Sequence, residues 1–194
     1  MGETLYKIAQ ASQNEFLIGL YGAPGDHTGA ELNAVKYYNY PWEGVYRAKD
    51  PEVAEKIASF MEKAVSNGFI GYDYNTKKRH TLFTELSKID FNIEEMNVPC
   101  STDCSALIYC AIYAATGVPF TPMEDGNGLQ NSPKCSMYDD YVSVDLVPAG
   151  FEFEYITDLD FALEVNNPNG NTKYLKDLIR GDILWCGPHV GVWI

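Results

Sequence analysis

Cys104 and His189 are the two residues of this chain whose types and settings are best suited to covalent chemistry. A thiolate is a strong nucleophile, and an imidazole can take up and return its proton near neutral pH. Cys104 follows Ser101-Thr102-Asp103, three good N-cap types, and precedes an apolar run from Ala106 to Ala115. Leu107, Ile108, Ala111, Ile112 and Ala115 fall at helical spacing, Gly117 suits the left-handed position after a helix, and Pro119 forbids continuation. The thiol therefore stands at a helix N-terminus, where unpaired N–H groups and the helix dipole favour an anion. Cys110, in mid-helix among apolar neighbours, reads as core.

His189 lies in Gly187-Pro188-His189-Val190-Gly191-Val192-Trp193-Ile194, an alternating strand pattern. Val190, Val192 and Ile194 share the side that suits a core. His189, Gly191 and Trp193 share the other, where Gly191 leaves room for a close approach. The chain has only three histidines, and the reading is that this one meets Cys104 as a thiolate–imidazole pair. The same residues admit a second use. Cys100-x3-Cys104 with Cys186-x2-His189 makes a three-Cys, one-His set that would suit structural zinc.

The elements that must position the pair can be read in part. Residues 3–13 are expected as a short helix with Leu5, Ile8 and Ala9 on one face. Gly19 to Gly29 is a glycine-rich polar loop around His27, either lining a cleft or making a surface turn, and it has no phosphate-loop Gly-Lys-Ser/Thr. Tyr37, Tyr38, Tyr40 and Trp42 form an aromatic cluster suited to a groove or a core. Asp50-Pro51-Glu52 opens a helix whose stripe is Val53, Ile57, Phe60, Met61, Ala64 and Val65. An extended segment, 69–74, follows. Lys77-Lys78-Arg79-His80 reads as a solvated basic turn, and Thr81 to Ile89 as a short amphipathic helix. Residues 121–150 are a long connection. Phe151 to Ile156 is a strand, 166–171 a turn cluster and 174–179 a helical turn. Arg180-Gly181-Asp182 leads into strand Ile183 to Cys186. No internal repeat or low-complexity linker divides residues 1–194, which read as one domain.

Composition limits the partners. The net charge is −13, with 14 Lys and Arg against 27 Asp and Glu. Such a surface is wrong for nucleic acid and for anionic lipid. No apolar run reaches the ~18 residues of a membrane span, and residues 1–7 lack the basic and apolar regions of a Sec-type signal. Five irregularly spaced cysteines are not a disulfide framework and fit synthesis in a reducing cytosol.

Thr102-Asp103-Cys104-Ser105-Ala106-Leu107-Ile108 resembles the Asp-Cys-Ser box of the NlpC-type papain-like cysteine peptidases. Arg180-Gly181-Asp182-Ile183-Leu184 with His189-Val190-Gly191-Val192 resembles that family's histidine segment. Upstream, Gly25-Asp26-x-Thr28-Gly29-x-Glu31 and Pro41-Trp42 resemble its phage-lysin members. The resemblance implies an α+β papain-like fold, with the nucleophile at a buried helix N-terminus packed on an antiparallel sheet. It implies cleavage of an amide bond in the peptidoglycan stem peptide, at the bacterial wall after release, without a cofactor or a metal. Cys104 would be the nucleophile, His189 the general base and acid, and Asp103, Ser105 and Tyr72 substrate contacts. The family usually orients its histidine with a polar residue on the following strand, yet the chain stops five residues beyond His189. The expectation is therefore a truncated catalytic domain continuing into further strands and a wall-binding region, with the third residue coming from elsewhere or absent. A catalytically inactive peptidoglycan-binding relative is the remaining alternative.

Overall fold

A computed structural model gives the architecture. It describes residues 7–12, 22–26, 31–38, 42, 44–75, 78–118, 150–155, 164–165, 173–174, 178–186 and 189–194. His27, Tyr40, the 121–149 part of the long connection and the 166–171 turn cluster lie outside them. The chain is α+β. Strands β1 (Lys7–Ala11), β2 (Leu32–Lys36), β3 (Gly44–Ala48), β6 (Phe151–Tyr155), β9 (Ile183–Cys186) and β10 (His189–Trp193) form one antiparallel sheet in the order β2-β1-β10-β9-β3-β6. Helices α1 (Pro51–Val65) and α3 (Cys104–Thr116) pack on it, with α2 (Thr81–Leu86) beside them. Short strands β4 (Ile70–Tyr72) and β5 (Cys100–Thr102) pair in parallel just ahead of α3, and β7 (Glu164–Val165) pairs with β8 (Lys173–Tyr174).

Alternation along the strands builds two cores. Ala9, Tyr46, Ile183, Trp185, Val190 and Val192 join the helices in the larger one. Ile8, Val45, Leu184, Cys186 and Trp193 pack on the opposite face with Tyr37 and Trp42. The assignment of Val190 and Val192 to the core side holds, and so do α1, α2, α3, β6, β9 and β10. Asp50 caps α1 by accepting from Glu52 N–H at 2.9 Å, and Gly117 closes α3 with φ 69°.

The N-terminal expectation fails. Residues 7–11 are a strand, not part of a helix. Ile8, Ala9, Gln10 and Ala11 are all buried, because β1 lies inside the sheet with both faces covered. A strand covered on both faces shows no polar–apolar alternation, and its period is hidden. The helical turn expected from Tyr174 is likewise replaced at its start by β8. β10 is flanked by β9 and by β1, with Ile8 opposite Trp193 and Ala9 opposite Val192. Gly191 serves that pairing. A Cβ there would stand 2.5 Å from Ile8 Cγ2, so the close approach it permits is that of β1.

The turn before β9 is a clamp. Gly181 has φ 93°, and a Cβ on it would collide with the Ala54 carbonyl of α1. Asp182 is buried, takes both arms of Arg47 at 2.8 and 2.7 Å, and accepts from Ile179 N–H at 2.9 Å. Arg180 reaches Glu55 and Glu62 on the exposed side of α1. The two arginines should contribute very differently. Arg47→Met strands a buried carboxylate and should cost about 3 kcal/mol or more. Arg180→Met loses only solvent-screened pairs and should cost about 1 kcal/mol or less. Urea unfolding of both variants checks the order.

Candidate active site

Cys104 is the first residue of α3 and Asp103 is its N-cap. Asp103 Oδ1 accepts from Ala106 N–H at 2.8 Å and from the Ser105 hydroxyl at 2.9 Å. Its other oxygen pairs with Arg79 Nε at 2.8 Å, and Arg79 Nη2 donates to Ser105 Oγ at 3.1 Å. All three side chains are buried. The Asp103 and Ser105 side chains are thus bound into the first turn of α3, on either side of Cys104. The basic cluster is corrected by the same contacts. Arg79 and His80 are interior; Lys78 is half-exposed and pairs with Asp73 at 3.5 Å. Residue type alone suggested solvation, but the carboxylate that draws Arg79 inward lies 24 positions away in sequence.

His189 opens β10. Its Nε2 lies 2.9 Å from Gln10 Oε1 on β1. An amide oxygen only accepts, so the neutral ring carries its proton on Nε2, leaving Nδ1 as the basic nitrogen. Gln10 is fixed in turn: Tyr38 donates to the same oxygen at 2.7 Å, and Gln10 Nε2 donates to Asn33 Oδ1 at 3.2 Å. Trp42 covers the imidazole, with ring centroids 5.8 Å apart. Gln10 was missed by sequence reasoning. The signal that could have found it is a lone amide within the buried run Ile8-Ala9-Gln10-Ala11, had that run been read as a strand.

The thiol meets β10 one residue from this histidine. The N–H groups of Val190 and Ser105 both face Cys104 Sγ. Among the described residues no direct hydrogen bond joins the sulfur to the imidazole; the two come to the same end of β10. Burial pushes the Cys104 thiol up to about 12, Asp103 adds to the rise, and Arg79 with the two N–H groups opposes it. Burial also takes His189 down to about 4. The resting site is therefore a neutral thiol beside a neutral imidazole, and the helix N-terminus alone does not hold the sulfur as a thiolate.

Tyr72 is buried on β4, paired with Thr102 two positions ahead of Cys104. The Gly22–Asp26 turn packs across this strand: side chains at Gly22 or Gly71 would collide with Tyr72 and Ala23 backbone oxygens, and Gly25 N–H donates to Cys100 O at 3.0 Å. The zinc alternative is not assembled. Cys100 Sγ faces Phe69 O and Cys186 Sγ faces His189 O. Among the described residues no group of three or more His, Cys, Asp or Glu is placed to hold a metal ion.

A family model described as an endolysin-like domain matches residues 8–192, nearly the whole chain. The chain belongs to the endolysin-like domain family. Among curated proteins and among solved structures nothing matches. In this endolysin-like domain the matched range runs from β1 to β10, so both partners of the Gln10–His189 bond fall inside it. None of its described helices is long and apolar enough to cross a membrane.

The two buried histidines make the domain acid-sensitive. Burial takes His80 down to about 3, helped by the Arg79 charge, and His189 to about 4. Both folded values lie below the unfolded value of about 6.5, so the unfolded chain binds more protons between these limits. Stability from this source is complete above about pH 6.5 and falls as pH drops, by up to about 1.4 kcal/mol per pH unit for each histidine. Asp103, raised by burial, contributes with the opposite sign. Urea midpoints should therefore fall between about pH 7 and pH 5, and His80→Gln should show a shallower fall. Parallel profiles for the two proteins would contradict the buried neutral His80.

Proposed function

We propose that this endolysin-like domain is a cysteine-dependent peptidoglycan hydrolase, cutting an amide bond of the stem peptide in the manner of the NlpC-type papain-like peptidases. The observation that carries the reading is the bond between Gln10 and His189. It sets the imidazole tautomer that a general base needs, at the strand end where the Cys104 thiol sits. Residues 1–194 are read as one catalytic domain acting at the bacterial wall after release. The acidic surface is compatible with a neutral or cationic peptide and unsuited to nucleic acid.

The neutral resting pair fits a concerted attack. His189 Nδ1 takes the thiol proton as sulfur bonds to the substrate's amide carbonyl carbon. The carbonyl oxygen becomes an oxyanion, and the Cys104 backbone N–H, at the first position of α3 where no intrahelical carbonyl can reach it, is suited to receive it. Collapse expels the amine, which takes the proton back from His189 and leaves a thioester on Cys104. Water, deprotonated by His189, then releases the acid and restores the thiol. Gln10 accepts from Nε2–H throughout and stabilises the imidazolium as it forms. Tyr38 and Asn33 hold Gln10, and Trp42 covers the imidazole.

A second reading has one observation in its favour. A thiol pushed up to about 12 at a half-buried Cys104 also suits a relative that binds stem peptide without cutting it. Digestion of purified peptidoglycan, with fragments identified by mass spectrometry, separates the two. Wild type should release new termini and Cys104→Ala none. Gln10→Ala should retain the fold and lose ~10- to 100-fold in kcat, within the range general-base positioning supplies. Cleavage by Cys104→Ala at the wild-type rate would overturn the hydrolase reading. Binding without cleavage by the wild type would establish the alternative.

A further inference from the structure

One guanidinium holds the residues on both sides of the nucleophile. Arg79 Nε pairs with Asp103 Oδ2 at 2.8 Å, and Arg79 Nη2 donates to Ser105 Oγ at 3.1 Å. Those two residues are the immediate neighbours of Cys104, and the Ser105 hydroxyl closes the ring by donating to Asp103 at 2.9 Å. Arg79 is 8% exposed and Asp103 is 0% exposed, so water does little to screen either charge. The segment carrying Arg79 is itself anchored. Arg79 N–H donates to Asn75 O at 2.9 Å, its guanidinium lies over the Tyr74 ring, and the next turn is tied to β5 through Thr81 Oγ1, which accepts from Ser101 N–H at 2.8 Å.

We propose that Arg79 is a positioning residue for the Cys104 nucleophile, fixing its turn from both sides and cancelling the Asp103 charge that would otherwise oppose thiolate formation. The proposal rests on the reading of Cys104 as nucleophile and extends it to the electrostatics of the turn. Capping α3 with a buried carboxylate orders the helix start, but it places a negative charge one residue from a sulfur that must itself become negative. A serine or threonine cap would avoid that conflict; with an aspartate, a buried cation is the remedy. The charge effects on the thiol have the matching signs, Asp103 raising its pKa and Arg79 lowering it.

The surroundings supply few other charges. Asp73, which donates its N–H to Thr102 O at 2.9 Å, is paired with Lys78. His189 on β10 is neutral at neutral pH, as its depressed pKa requires. His80, beside Arg79, is neutral for the same reason. Glu85 of α2 acts on Cys100. The faces that α1 and β1 bury in the core are apolar apart from the neutral Gln10. Arg79 is therefore the group whose removal should most change the thiol.

The test is the pH dependence of Cys104 alkylation by iodoacetamide in the intact chain, read at the Cys104 peptide by mass spectrometry, with circular dichroism on every variant. Arg79→Gln should shift the profile to higher pH by about one unit, a ~10-fold loss of thiolate at a given pH. Arg79→Lys, which keeps the charge but not the fork, should recover part of it. Asp103→Asn leaves the Arg79 charge unopposed and should shift the profile to lower pH. The double variant should return towards wild type. If Arg79→Gln does not fold, the Asp103→Asn shift decides the matter alone. Superimposable profiles for wild type and the folded variants would overturn the proposal. Failure of the hydrolase reading is recognised separately: the shifts would appear while wild-type protein released no wall fragments.

Discussion

The pairing of β1 with β10 is the constraint on which the site depends. It fills the flank of the histidine strand, covers Gly191 with Ile8, and places Gln10 against the imidazole. A strand near the beginning of the sequence thus completes a candidate site whose thiol and imidazole come from its middle and end. The contact is long-range by any measure, since 179 positions separate Gln10 from His189. Closing so wide a loop carries an entropic cost that grows only slowly with length. What makes the arrangement affordable is its continuity with the core: Ile8 and Ala9 are fully buried on opposite faces of the sheet. The order of the histidine's surroundings and the stability of the sheet are therefore the same interaction seen from two sides.

The ends of the site obey different chemistry. At the histidine, neutral hydrogen-bonding groups and aromatic rings do the work: Gln10, Asn33, Tyr38 and Trp42 carry no charge. At the cysteine, a buried ion pair does it, because Arg79 and Asp103 brace the first turn of α3. An amide partner leaves the imidazole less basic than a carboxylate would, which agrees with a neutral resting histidine. At the cysteine end the charges act on the thiol in opposite directions, Asp103 holding its proton on and Arg79 easing it off.

Legibility from sequence followed the range of the interactions. Helices α1 and α3 were readable because their caps, stripes and stops are local: Asp50, Pro51 and Glu52 for one, Asp103 and Gly117 for the other. The β9 and β10 strands were readable because their turn and alternation are local too. β1 reads as helix because burial on both faces erases its alternation, β2 and β3 are hidden among neighbouring glycines and aromatics, and β5 is only three residues long. Arg79 and Gln10 were invisible for a related reason. Each looks like an ordinary polar residue until a partner far along the chain is brought beside it. The buried roles of Asp103 and Ser105 could not be separated from substrate contact by motif alone, because an N-cap aspartate and a substrate-facing aspartate are written with the same letter.

Burial is what ties these observations together. It strengthens the Gln10–His189 bond by excluding competing water, and it strengthens the Arg79–Asp103 pair by lowering the local screening. The same burial raises the thiol and lowers the imidazole, holding both in the neutral form. A thiol held neutral is less open to oxidation and alkylation than a permanent thiolate. Any charge formed at the thiol would depend on dipoles and charges already placed around it. The α3 N-terminus, the Arg79 guanidinium and the Gln10 amide are three such fixed groups, each anchored by its own element of the fold.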